Sequence, residues 1–284
     1  MSLREVGKRL PRGFAMQLGC AAFVLFAAVA GALSAAAQAP PITGIAHLAF
    51  RVQNLSAERA FFHQLGFEEA FVLPSSEKPA EVFVKINDRQ FIELYPQTAP
   101  SQPLGWMHVC YESDALNSLQ ALYAAHGLNP PPVQKAGAGN LLFSLNDPEG
   151  RVTEFTQYMP GSRHTLDRGK HLGEQRIATR LLGFSFPSAN LAADHEFYTA
   201  GLGFEQQKSA SSIRLRLPTA PDLRITLHTA GPGDRIQAVL GVPNVSAAAR
   251  ALRRRGFVAQ AHKDGVSIED PNGNLFVFAA DTAR

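Results

Sequence analysis

His47 and Glu93 stand 46 positions apart, His108 and Glu154 stand 46 apart as well, and a shift of 61 residues lays one pair on the other. Each member interrupts an otherwise apolar, strand-like run: Ala46-His47-Leu48, Ile92-Glu93-Leu94, Met107-His108-Val109 and Thr153-Glu154-Phe155. Burying an imidazole or a carboxylate inside such a run costs several kcal/mol unless something compensates it. One divalent cation compensates all four. The repeat therefore favours a fold that superimposes two equivalent units around a shared point.

Hydrophobic patterning extends the repeat to four copies of a strand, a helix ending at Gly, and about three short strands. The first copy opens on Ile45 to Val52. Its helix is capped by Asn54 or Ser56, buries Leu55, Phe61, Phe62 and Leu65, and stops at Gly66. Strands Val82 to Ile86 and Gln90 to Tyr95 follow, turning at Asn87-Asp88. The second copy runs from Trp106, through a helix with Leu116, Leu119 and Leu122 to Gly127, and ends in Val152 to Tyr158. The third begins at Leu182, with Asn190-Leu191 and Phe197-Tyr198 repeating Asn54-Leu55 and Phe61-Phe62, and its helix stops before Gly203. The fourth runs from Gln237 through Val245 and Leu252 to Gly256 and closes on Leu275 to Phe278. Asp147-Pro148-Glu149-Gly150 and Asp270-Pro271-Asn272-Gly273 are β-turns at matching places in copies two and four.

Residues 1–39 read as an export signal: Arg4, Lys8, Arg9 and Arg12, an apolar stretch from about Leu18 to Ala37, and the small-residue site Ala37-Gln38-Ala39. The apolar stretch is also long enough for an uncleaved anchor, but its Ala content and processing site favour cleavage and a periplasmic or secreted product without stable membrane insertion. The leader carries four positive residues and Glu5, which accounts for the whole formal charge of +3. The remaining 245 residues are formally neutral, so the basic isoelectric point argues for neither nucleic acid nor acidic lipid as a partner. Cys110 is then the sole cysteine, so no intramolecular disulfide forms.

The βαβββ unit, the helix ends Leu65-Gly66-Phe67 and Leu202-Gly203-Phe204, and the Asp-Pro-x-Gly turns resemble the vicinal oxygen chelate superfamily. That superfamily includes glyoxalase I, methylmalonyl-CoA epimerase, extradiol ring-cleaving dioxygenases and the fosfomycin and bleomycin resistance proteins. The resemblance implies an α+β fold in which four βαβββ units pair into two cupped, open-barrel domains. The expected domains are 43–158, carrying the metal, and 180–281, a degenerate copy. Between them lies a polar link, 159–179, in which His164, His171, Arg163 and Arg168 belong to a solvated connector or to a flap over a site mouth.

Strand alternation puts His47 on a face with Ile45 and Ala49, Glu93 with Phe91 and Tyr95, His108 with Trp106 and Cys110, and Glu154 with Val152 and Thr156. Two imidazoles with carboxylates suit Zn²⁺, Fe²⁺, Mn²⁺, Co²⁺ or Ni²⁺. The resemblance implies one such ion held by His47, Glu93, His108 and Glu154 in the glyoxalase pattern, or by His47, His108 and Glu154 in the dioxygenase pattern. Copies three and four have Gly183, Thr226, Gln237 and Val277 at the matching places and should bind no metal.

The leading expectation is a lyase or isomerase acting on a small substrate that chelates the ion through two adjacent oxygens, with Glu154 or Glu93 as base. The alternatives are an Fe²⁺ dioxygenase and a non-enzymatic protein that sequesters a small molecule. Other motifs carry less. Cys110 reads as core, Arg253-Arg254-Arg255 as a solvated helix face, and no Gly-x-Ser-x-Gly elbow is present.

Overall fold

The computed structural model describes residues 40–74, 80–207, 212–217 and 219–281. The expected leader lies outside them. The first unit is β1 (Ile42–Val52), α1 (Leu55–Gln64), β2 (Glu68–Leu73), β3 (Glu81–Asn87) and β4 (Gln90–Pro96). The second is β5 (Gly105–Ser113), α2 (Leu116–Ala125), β6 (Gln134–Lys135), β7 (Leu141–Asn146) and β8 (Val152–Gln157). A strap containing α3 (Arg163–Leu166) leads to the third, β9 (Arg180–Ser188), α4 (Leu191–Glu196) with a π-helical turn Phe197–Gly201, β10 (Glu205–Gln207), β11 (Ile213–Leu217) and β12 (Ala220–Thr229). The fourth is β13 (Gln237–Val242), α5 (Val245–Arg254), β14 (Gln260–His262), β15 (Gly265–Glu269) and β16 (Leu275–Ala280).

Local chemistry starts each helix. Asn54, Asn190 and Asn244 accept from the backbone N–H of Ala57, Ala193 and Ala247, satisfying donors that the first helical turn leaves open. Helix α2 has Ala115 at that place, and Gln157 reaches over from β8 to accept from Leu116 N–H at 3.1 Å instead. Among the described residues no helix is long and apolar enough to cross a membrane.

The two halves build identical sheets, β2-β3-β4-β1-β5-β8-β7-β6 and β10-β11-β12-β9-β13-β16-β15-β14. In the first, β1 runs parallel to β4 and antiparallel to β5, which runs parallel to β8. Those four central strands carry the quartet. One face of each sheet packs on its helices; the other lines a cup.

A β-bulge corrects the alternation expected of β1. Ile45 pairs with Tyr111 and His47 with Cys110, so Ala46 has no partner of its own. The extra residue turns Ile45 into the apolar core with Tyr111 while His47 and Ala49 face the cup. The same bulge recurs at Leu182, between the pairs Leu181–Leu240 and Gly183–Val239.

One apolar core joins the halves. Phe276 contacts Phe50 and Phe62, each at 5.5 Å between ring centroids, and Trp106 meets Phe184 at 5.3 Å. The two Asp-Pro turns also cross between halves. Glu149 Oε1 accepts from Ala189 N–H at 2.7 Å, just ahead of α4, and Asn272 Oδ1 accepts from Gln53 N–H at 2.8 Å, just ahead of α1. Unit two thus seats unit three, and unit four seats unit one.

The strap is a solvated connector only in part: Arg163, Arg168 and His171 are exposed, but Ser162, His164 and Asp167 are buried. Arg163 N–H donates to Ala138 O at 2.9 Å on one side of the first cup. On the other side the fully buried Lys85 ammonium of β3 donates to Asp167 Oδ2 at 2.8 Å, Asp167 O at 2.6 Å and Lys170 O at 2.7 Å. The strap thereby spans the cup. It also lies on Gly66, where a Cβ would meet Gln175 O at 2.3 Å; with φ at +83°, that position admits only Gly.

Candidate metal centre

The central strands bring all four candidates together on the cup floor. His47 Nε2 lies 3.0 Å from His108 Nε2 and 3.6 Å from Glu154 Oε2, and His108 Nε2 lies 3.4 Å from the same Glu154 oxygen. Glu93 approaches from β4, with Oε1 3.0 Å from His47 Nδ1 and Oε2 3.8 Å from His108 Nε2. Donor atoms about 2.1 Å from a common centre stand roughly 3.0–3.5 Å apart at tetrahedral or octahedral angles. His47 Nε2, His108 Nε2 and Glu154 Oε2, 3.0–3.6 Å apart, come close to that spacing, whereas Glu93 Oε1 addresses the other nitrogen of His47. The imidazoles and Glu93 are buried, whereas the Glu154 side chain is 20 % exposed and marks the open side.

Charge balance within the quartet is incomplete without a cation. Burial pulls the His47 pKa down, but the Glu93 charge together with Cys110 and Glu154 outweighs it and holds the ring well above the ordinary imidazole value. His108 moves the other way, because desolvation exceeds the attraction of Glu154. Burial raises Glu93, yet His47 and His108 together bring it down to about 2, and the same two imidazoles lower Glu154 against burial. Two carboxylates therefore share one imidazolium. His47 Nδ1 is close enough to Glu93 for an ion pair, yet out of line for a hydrogen bond and without another partner. Orphaned nitrogen, paired carboxylates and donor spacing all fit a divalent transition ion.

Of three neighbours, Tyr95 stands on the face of Glu93 as the alternation places it, His164 falls in the expected connector or flap, and Glu81 is the one that sequence reasoning missed. Tyr95 O–H contacts Glu93 Oε2 at 3.0 Å and also meets Glu81 Oε1. Burial, and then the Glu93 charge, push Glu81 up to about 8, and the Tyr95 hydroxyl, a donor within reach of Glu81 Oε1 and of Glu93 Oε2, links the two carboxyl groups. The alternation along β3 puts Glu81, Phe83 and Lys85 on one face and was the available signal. His164 comes from the strap, where the run of His and Arg residues was the signal for a flap over a site mouth. Cys110, expected as core, is fully buried and also stands among donors: its thiol, His47 and Glu154 have atoms within 4.8 Å of one another. Burial pushes that thiol up to about 12.

The second half has the same scaffold without the donors. Ser185 pairs with Thr226 and with Gln237 as Ala49 pairs with Glu93 and with His108. Gly183 therefore occupies the His47 position, and a Cβ there would lie 1.8 Å from Arg224 O. The backbone itself excludes a ligand at that place. This cup is instead an open cavity of about 750 Å³ lined by Ser185, Thr226, Gln237, Val239 and Val277 among others.

No family model matches the chain, and no curated protein matches it in sequence. Solved structures do. A Mn(II)-bound glyoxalase from Novosphingobium aromaticivorans superimposes with a TM-score of 0.66 at 17 % identity, over 86 % of this chain and 83 % of its own. A Pseudomonas 2,3-dioxygenase gives 0.60 at 16 % identity, over 84 % and 92 %. An extradiol ring-cleaving dioxygenase from B. fuscum gives 0.64 at 14 % identity, over 86 % and 73 %. With the repeated units, the paired strand orders and the two cups, these likenesses show that the chain has the vicinal oxygen chelate fold.

Proposed function

We propose that this protein is a divalent-metal-dependent enzyme whose small-molecule substrate chelates the ion through two adjacent oxygens, with glyoxalase-like lyase or isomerase chemistry. The observation that carries the proposal is the convergence of His47, Glu93, His108 and Glu154 within 3.0–3.8 Å contacts in one cup, beside a twin cup that lacks them. When bound, the ion supplies Lewis-acid polarisation of a substrate carbonyl. Glu154 is the better base of the two carboxylates. Its Oε2 faces the imidazoles, its side chain is the most exposed of the four, and Oε1 is left to take a carbon-bound proton and return it. Glu93 has both oxygens engaged, by His47 and by Tyr95, and serves to hold His47 in place.

A leader at 1–39 would place this chemistry outside the cytoplasm, away from glutathione and coenzyme A esters. The test is solvent exchange: the metal-loaded protein with an α-hydroxycarbonyl compound in D₂O should introduce deuterium at the carbon, and Glu154→Gln should abolish it. Absence of exchange across such compounds would defeat the proton-transfer chemistry.

One observation favours a second reading. His47 Nε2, His108 Nε2 and Glu154 Oε2 form a triangle of 3.0, 3.4 and 3.6 Å, while Glu93 addresses the other nitrogen of His47. Two imidazoles and one carboxylate on a single face suit an Fe²⁺ dioxygenase of the ring-cleaving type. Oxygen uptake by the Fe²⁺-loaded protein with catechols would support it.

A further inference from the structure

His164 of the strap has one ring nitrogen that neither the quartet nor the fold satisfies. His164 is 3 % exposed, and its ring lies 4.7 Å from that of Tyr158, 4.8 Å from Phe91, 5.0 Å from Phe71 and 5.2 Å from Phe83. Four aromatic rings hold the imidazole without satisfying its nitrogens. Asn140 Nδ2 lies 2.8 Å from Nδ1, with Asn140 Oδ1 left buried and unpartnered; in that amide orientation Nδ1 accepts and the ring proton sits on Nε2. Nε2 is buried and has no partner. A buried donor without an acceptor is a standing cost to the fold, so this one calls for a ligand.

The position of the ring says which ligand. Phe91 is the register partner of His47 and precedes Glu93 by two residues on the cup face of β4. An imidazole seated on Phe91 is therefore one pleat from the quartet. Burial keeps this ring neutral, and the charges of Glu93 and His47 both reach it. The strap that delivers it is fastened on both sides of the cup, by Ala138 and by Lys85.

We propose that His164 Nε2–H donates a hydrogen bond to an oxygen of the small molecule chelated at the quartet, so that the strap forms a wall of the substrate site and selects ligands with an anionic oxygen on that side. This rests on the metal-dependent reading above. The test uses the purified protein loaded with Co²⁺ and nitrocatechol, a chromophore that chelates through two adjacent oxygens. His164→Phe, which keeps a ring in the aromatic box, should weaken nitrocatechol about tenfold, the value of one hydrogen bond to a charged oxygen, while Co²⁺ affinity stays unchanged. His164→Gln, which keeps an N–H donor, should stay within about threefold of the parent. A ring that only packs would give the reverse order, with Gln the more damaging. Equal nitrocatechol binding by parent and His164→Phe, or that reversed order, overturns the proposal. So does a Co²⁺-loaded parent that ignores nitrocatechol. Failure of the parent to take up Co²⁺ would instead overturn the metal reading and this one with it.

Discussion

His47 holds a proton between two carboxylates, and that proton must leave before its nitrogen can ligate. Because the folded pKa of His47 lies well above the ordinary value, metal uptake near neutrality should release about one proton per ion. Calorimetric titration in buffers of different ionisation enthalpy measures this directly. Affinity should fall as the pH is lowered, and a proton count of zero at neutral pH would contradict the electrostatics described for the quartet. A second titrating residue concerns stability alone. Glu58, buried where unit four seats unit one, faces Asp270 and contacts Asn272. Burial, and then the Asp270 charge, push it from 4.5 up to about 8. A raised folded pKa means stability that is full below the unfolded value and is lost as the pH rises through the folded one. The protein should therefore weaken between about pH 5 and 8, and Glu58→Gln should remove its share of that slope in denaturant midpoints, leaving the share that Glu81, also pushed up to about 8, contributes. At the matching place in the other half, Arg151 spans Asp147 and Asp194, each at 2.6 Å, yet burial still holds Asp194 above its ordinary value, so a slope of the same sign arises there, offset in part by the Arg151 charge.

At the scale of elements, the strap depends on one buried ammonium. Lys85→Met would leave Asp167 buried without its cation, a loss of about 3–5 kcal/mol. The expected result is a lower denaturant midpoint together with faster hydrogen exchange confined to residues 162–171; unchanged exchange there would show that the aromatic box alone holds the strap. Elements also show where the sequence was legible. The capping residues Asn54, Asn190 and Asn244 and the Gly after each helix act locally, so pattern and spacing reveal them. The bulge at Ala46 does not reveal itself, because a one-residue insertion leaves the apolar run Ile45 to Phe50 looking continuous while it moves Ile45 to the other face. For the strap the sequence left two alternatives open, connector and flap, and could not choose between them. His164 and Lys85 are polar residues whose burial is decided by partners 24 and 82 positions away, Asn140 and Asp167, and no local pattern encodes such pairings.

The whole molecule is one scaffold used twice, with the chemistry kept in one copy. The four quartet residues and their degenerate counterparts were readable because the sheet register repeats in both halves, so offsets of 46 and 61 residues translate into positions on matching strands. Their convergence needed the coordinates, since alternation gives the face of a strand and not the distance across a sheet. Gly183 adds a reason the second cup stays without metal: a side chain there would run into the backbone of Arg224. The most direct measurement is elemental metal analysis of the purified protein beside His47→Ala and Thr226→Ala. The result expected is one divalent transition ion per chain in the parent and in Thr226→Ala, and none in His47→Ala. A parent without stoichiometric metal, or a His47→Ala protein that keeps its full complement, would contradict the account.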